Sequence, residues 1–164
     1  MSDEISLSMS LPLDRDGFLR RECPTCEREF KWLPSQEDEE PSAAQGEEPA
    51  PESYFCPYCA ISAPIDAWLT KAQVAAMHEI VRRELIDPEM DKLEREIEKL
   101  NRSSGGLIGI EATLERDEPE PASDLSETDD MRRVDFDCHA AEPVKVLDDW
   151  VGAVHCLVCG QPAA

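Results

Sequence analysis

The sequence predicts an α+β chain in which two small β modules, each closed by paired cysteines, flank a central helical hairpin. Three observations carry that expectation. Cysteines recur as Cys-x-x-Cys pairs toward both ends, at Cys23/Cys26, Cys56/Cys59 and Cys156/Cys159. Short stretches of alternating apolar residues surround those pairs, as half-buried strands require. Between residues 70 and 104 the apolar residues step instead by three and four, which is the helical period. The boundaries read as 1–69 for the first β module, 70–104 for the hairpin and 105–164 for the second β module.

Composition limits what such a chain can bury. It has 164 residues, 5% aromatic, with 13 Pro. A large apolar core is not expected, and metal cross-links are a natural substitute in so small a fold. Seven cysteines, most of them in Cys-x-x-Cys pairs, favour metal-bound thiols in a reducing compartment over a disulfide framework. No apolar run is long enough for a membrane span, and the acidic Met1-Ser2-Asp3-Glu4 start is unlike a signal peptide. The expectation is therefore a cytoplasmic protein.

The net charge is −21. Seven acids and no base fall in residues 35–52, and seven more, again with no base, fall in 117–130. Such a field repels phosphates, so direct nucleic-acid binding is disfavoured. Both runs read as solvated loops; the first, with Pro41, Pro49 and Pro51, is expected to be a disordered insert. A basic protein partner would be steered toward them.

In chain order, Ile5, Leu7, Met9, Leu11 and Leu13 alternate with serines and predict a strand over 4–13. Asp14-Arg15-Asp16-Gly17 is a turn, and 18–22 a strand delivering Cys23. Residues 28–33 read as the returning strand, with Phe30 and Trp32 on one face. Tyr54-Phe55 leads into Cys56, residues 60–64 form a turn-rich exit, and Trp68 closes the core. Thr70-Lys71-Ala72-Gln73 is a capping box, so a helix begins there. Val74, Met77, Val81 and Leu85 share its apolar face. Asp87-Pro88 is expected to end that helix and start a second, running to about Arg102 with Met90, Leu93, Ile97 and Leu100 as a seam. That seam suits packing within the hairpin or against the β modules; the alternative is a partner seam or a homodimer through helix 88–102. After Ser103-Ser104-Gly105-Gly106 come strands over 107–114, 132–138 and 144–146, and a turn over 148–152.

Two Cys-x-x-Cys pairs supply the four soft ligands of a closed tetrahedral zinc site, here Cys23, Cys26, Cys56 and Cys59. The two-residue gap lets both sulfurs of a pair face one point. With Pro24 and Pro57 after the first Cys of each pair, residues 18–69 resemble a zinc ribbon. The resemblance implies a β fold and a zinc ion but no particular task, because ribbons serve many machineries. Where ribbons often carry Gly after the second Cys, this chain has Glu27 and Ala60. Cys56-Pro57-Tyr58-Cys59 is also similar to the redox motif of glutaredoxins, but no helical period follows it.

The remaining cysteines are Cys138, Cys156 and Cys159, with Gly160 where a ribbon favours Gly. A second zinc needs one imidazole to complete a Cys₃His set. The candidates are His139 and His155, and His139 is preferred because it preserves two ligands from each side. Two zinc ions are thus expected, the second site zinc-ribbon-like as well.

No serine triad, P-loop or dinucleotide-binding glycine pattern is present, and Gly105-Gly106-Leu107-Ile108-Gly109 enters a strand where a phosphate cradle would enter a helix. The reading is a zinc-stabilised, non-catalytic interaction module or adaptor with a protein partner. Alternatives are an accessory ribbon protein of transcription or translation, a thiol oxidoreductase using Cys56 and Cys59, and an acidic mimic of nucleic acid connected with phage.

Overall fold

A computed structural model describes residues 7–34, 52–103, 114–115 and 125–163 of the chain. By its contacts the chain divides into two units, one of Leu11–Gln73 with Leu125–Ala164, the other of Met1–Ser10 with Val74–Asp124. The fold is α+β: two small antiparallel sheets and one long central helical span.

The first unit begins at the Asp14 turn. The Asp14 carboxylate accepts the amides of Asp16 and Phe18, both at 2.9 Å, and the Gly17 amide reaches the Asp14 carbonyl at 3.0 Å. Gly17 has φ +83°, which a side chain would resist. Strand β1 (Leu19–Glu22) then pairs antiparallel with β2 (Glu29–Trp32), and the cysteine loop between them is the hairpin turn. Strands β3 (Ser53–Phe55) and β4 (Ser62–Pro64) form a second, two-stranded sheet around Cys56–Ile61. Strands β5 (Met131–Val134) and β6 (Val144–Leu147) form a third hairpin. β6 also pairs with β2, giving one four-stranded sheet of order β1-β2-β6-β5. The sequence spans assigned to separate terminal modules are thus interleaved in a single sheet.

Alternation on that sheet explains its core. Phe30, Trp32, Val144 and Val146 are buried on one face with Tyr54, Trp68 and Leu157. Phe30 and Trp68 meet edge to face at 5.6 Å, and Trp32 and Tyr54 at 5.2 Å. The Trp68 indole N–H is buried with no hydrogen-bond partner, so ring packing positions that side chain.

The opposite face holds something unexpected. The register aligns Arg20, Lys31, Lys145 and Arg133 as a row of cations across the four strands. Lys31 is 0% exposed and Lys145 3%. Buried ammonium groups need partners, and the acids supply them. Lys31 Nζ lies 2.9 Å from Glu127 and donates to the Thr128 carbonyl at 2.7 Å. Lys145 donates to Asp14 at 2.7 Å and to Asp16. Arg20 reaches Asp130 at 2.7 Å and Glu29 at 2.8 Å. Burial raises the Asp14 carboxyl, but the Lys145 ammonium and the Phe18 and Asp16 amides outweigh it and hold the group down at about 2. Glu127 and Asp130 therefore correct the expectation that the run 117–130 is wholly solvated; its residues 117–124, and 35–51 of the first run, lie outside the described residues.

Other expectations shift as well. Residues 7–12 form no strand, and Leu13 makes one isolated bridge to Leu19. Alternation alone does not make a strand without a neighbour to bond, and Pro12 has no amide to offer. Residues 1–6 and the expected strand up to residue 113 lie outside the described residues. The exit at 60–64 contains strand β4.

A 3-10 turn, Ile65–Trp68, leads to helix α1 (Lys71–Val81). Its capping box forms as expected: Gln73 N–H donates to Thr70 Oγ1 at 3.1 Å and Thr70 N–H to Gln73 Oε1 at 3.0 Å. Gln73 also donates to the Arg20 carbonyl at 2.9 Å, which ties the first helical turn to β1. The expected turn of a hairpin at Asp87-Pro88 is absent. α1 continues through a π-helical segment, Arg82–Ile86, into α2 (Asp87–Ser103), with Val81 and Asp87 both right-handed helical. A proline ring crowds the carbonyl four residues back, here that of Glu84. The wider π turn, in which Asp87 N–H bonds to Arg82 O, accommodates Pro88 without ending the helix. Arg82 clamps the segment by pairing with Glu79 at 2.6 Å and Asp87 at 2.8 Å. Among the described residues no helix is long and apolar enough to cross a membrane.

Candidate metal centres

Three cysteine loops share one backbone design. In each, the amide after the second Cys bonds to the carbonyl of the first: Glu27 to Cys23, Ala60 to Cys56 and Gly160 to Cys156, all at 2.9 Å. The first Cys amide returns a bond to the residue beyond: to Arg28 and Ile61 at 3.0 Å, and to Gln161 at 2.8 Å. This geometry needs a left-handed residue after the second Cys. Gly160 has φ +70°, and Glu27 and Ala60 hold φ 55° and 56° despite their side chains. The absence of Gly at positions 27 and 60 therefore changes the strain and not the loop.

The loops turn their sulfurs inward. Thr25 and Cys26 N–H both donate to Cys23 Sγ at 3.4 Å, and Tyr58 N–H donates to Cys56 Sγ at 3.3 Å. The first cluster joins Cys23, Cys26, Cys56 and Cys59, whose sulfurs all lie within 4.8 Å of one another. Cys23 and Cys59 are 3.8 Å apart, Cys26 and Cys56 3.7 Å. Burial raises the Cys23 thiol pKa, but the Cys26 and Thr25 amides outweigh it and leave the group lowered. Burial pushes the Cys56 thiol up, and the neighbouring Cys23 pushes the same way.

The second cluster joins Cys138, His139, Cys156 and Cys159, again within 4.8 Å. Cys138 and Cys159 sulfurs are 3.5 Å apart, and Cys156 Sγ is 3.4 Å from His139 Nδ1. Between the two candidate histidines, the geometry brings His139 into the cluster. His155 points elsewhere: its Nδ1 lies 3.2 Å from the Pro57 carbonyl, which also accepts the His155 amide at 2.9 Å. With the Phe55 amide on the Leu157 carbonyl at 2.8 Å, this joins the middle and last cysteine loops backbone to backbone.

Tyr58 is a residue whose role sequence reasoning missed. It is buried; its hydroxyl donates to the Glu29 carbonyl at 2.7 Å and accepts the Leu147 amide at 3.0 Å. The Tyr of Cys-Pro-Tyr-Cys thereby bonds the middle cysteine loop to β2 and β6 together. No spacing rule reveals that link, whereas the left-handed positions had a signal in Gly160, which stands after the second Cys as Glu27 and Ala60 do.

Compared with protein-family models, with curated proteins and with solved structures, the chain matches none. Fold and sites together define a small α+β protein with two Cys/His clusters able to hold metal ions.

Proposed function

We propose that the chain is a zinc-stabilised, non-catalytic interaction module of the cytoplasm, in which two zinc ions hold the β unit in shape for a protein partner. The observation that carries this is the first cluster's geometry. Four thiolates around zinc, with Zn–S of about 2.3 Å, form a tetrahedron whose edge is about 3.8 Å; the Cys23–Cys59 and Cys26–Cys56 separations are 3.8 and 3.7 Å. For a sulfur and an imidazole nitrogen the edge is about 3.5 Å, against 3.4 Å between Cys156 and His139. Each set offers four protein ligands, which leaves no position for a reactive water; closed sets of this kind are structural.

Two features favour a protein partner and a non-redox role. The sheet's cations Arg20, Lys31 and Lys145 are already engaged by the chain's own acids, and a net charge of −21 opposes phosphates. Cys56 is 0% exposed with a raised thiol pKa, unlike an attacking dithiol. The test is elemental analysis with circular dichroism before and after chelation. Two zinc equivalents and loss of β structure on chelation are expected. Each site of this kind contributes about 10–16 kcal/mol of apparent folding free energy. An unchanged spectrum and melting temperature in metal-free protein would overturn the reading, as would a mobility shift of bare DNA or RNA at moderate salt.

A further inference from the structure

The helical unit carries an apolar stripe longer than either predicted helix. Val74, Met77 and Val81 step by three and four; Met90, Leu93, Ile97 and Leu100 step by three, four and three. Ile86 joins the two halves, five residues after Val81 and four before Met90. In an uninterrupted α-helix a five-residue step would rotate Ile86 roughly 140° away from Val81. The segment Arg82–Ile86 is π-helical, with hydrogen bonds that span five residues, so its turn takes up more residues than an α-turn and brings Ile86 closer to the Val81 side. Much of the stripe is exposed: Val81 is 37% exposed, Ile86 49% and Leu93 47%, while Val74, Met90 and Ile97 are half-buried.

Charge along α2 is sorted about that stripe. With Met90 and Ile97 at heptad position a and Leu93 and Leu100 at d, the flanking e and g positions hold Glu89, Glu94 and Glu96, with Asn101 and Ser103 beyond them and Asp87, already paired with Arg82, before them. Lys92, Arg95, Lys99 and Arg102 all fall on the outer c and f positions. Lys92 and Lys99 pair with Glu89 and Glu96 at 2.6 Å, but on an exposed surface such pairs are weak and salt-screened. A second copy of this helix would set acid against acid along both flanks, whether parallel or antiparallel.

We propose that this seam docks an amphipathic helix of another protein, one whose own flanking positions carry Lys or Arg. The proposal rests on the reading of the chain as an interaction module, and it names the partner's chemistry. Leucine-rich heptads supply the contact, and the acidic flanks select the partner and exclude self-association.

The test uses the zinc-loaded full chain and three synthetic helical peptides of about four heptads: a Leu/Ile seam flanked by Lys, the same seam flanked by Glu, and the Lys-flanked composition with its seam scrambled. Fluorescence anisotropy at 0.15 M salt is expected to show the Lys-flanked peptide binding at least about tenfold tighter than the other two. Leu93→Glu should weaken it at least about tenfold with no change in melting temperature. Combined Glu89→Lys, Glu94→Lys and Glu96→Lys should invert the preference toward the Glu-flanked peptide. Equal binding of the scrambled peptide would overturn the proposal, because charge alone would then suffice. So would equal or absent binding of both intact-seam peptides. A dimer at micromolar concentration that Leu93→Glu dissolves would assign the seam to a second copy. A lowered melting temperature in monomeric Leu93→Glu would assign it to a segment of the same chain. Failed peptide binding with two zincs bound sinks this inference alone; an intact metal-free fold sinks the underlying reading whatever the peptides do.

Discussion

Replacing Lys31 with Met should be among the most damaging single changes in the β unit. The substitution keeps most of the aliphatic stem and removes only the ammonium. That group is 0% exposed; it lies 2.9 Å from Glu127, 2.7 Å from the Thr128 carbonyl and 3.4 Å from Asp14. Removing one member of a buried pair strands its partners, which typically costs about 3–5 kcal/mol. Arg20 and Lys145 still hold Glu127 and Asp14, so the lower end, about 3 kcal/mol, is expected. In urea, with a slope of about 2 kcal/mol per M, the unfolding midpoint of zinc-loaded protein should fall by about 1.5 M at unchanged slope. Adding Glu127→Gln to Lys31→Met should recover part of the loss, because the stranded carboxylate is gone; a coupling of about 1–2 kcal/mol is expected in the double-mutant cycle. A loss below about 0.5 kcal/mol for Lys31→Met, the range of ordinary surface changes, would refute the reasoning, since it would mean that residues 127–130 do not clamp the cationic row.

Three further outcomes follow from the same geometry. His139→Ala should lower bound zinc from two equivalents to one by elemental analysis, while His155→Ala should leave two, because only His139 lies in a cluster. Burial raises the Tyr58 phenol to about 12 against the opposing Leu147 amide bond. The folded state therefore favours the protonated phenol: its contribution is full below pH 10 and is lost as pH rises toward 12. Phenolate absorbance should show one tyrosine ionising near 12, and Tyr58→Phe should remove that step and cost about 1–3 kcal/mol by leaving the Leu147 amide unpaired. Ala60→Gly should stabilise the protein by about 1 kcal/mol in urea unfolding, because Ala60 sits at φ 56°. Gly160→Ala should destabilise it, because φ is +70° and a Cβ would lie 3.0 Å from the Phe55 ring.

The cysteine pairs, the capping box at Thr70 and Gln73 and the seam of α2 were all legible in the amino acids. Each spans a handful of residues, and backbone geometry fixes where a side chain two, three or four positions away must point. The choice of His139 over His155 was already a weaker inference, since both adjoin a cysteine. Pairing between β2 and β6 was invisible because it joins residues more than a hundred positions apart, and Lys31 reads as one more polar residue on an alternating strand. Glu127 and Asp130 looked like part of a solvated acidic run for the same reason: composition records their charge but not the cations above which the chain folds them. Pro88 misled in the other direction. Local preference says that a helix stops there, and a widened turn lets it continue.

The sequence by itself thus determined the paired ligands at each Cys-x-x-Cys knuckle and the seam of the second helix, because those depend on near neighbours along the chain. Only the tertiary structure decided which β segments share a sheet, which imidazole joins the three remaining thiols, and which acids neutralise the buried lysines. Those outcomes depend on surfaces meeting through space, and burial makes the meeting decisive: a cation removed from water must find an anion, wherever in the chain that anion happens to be.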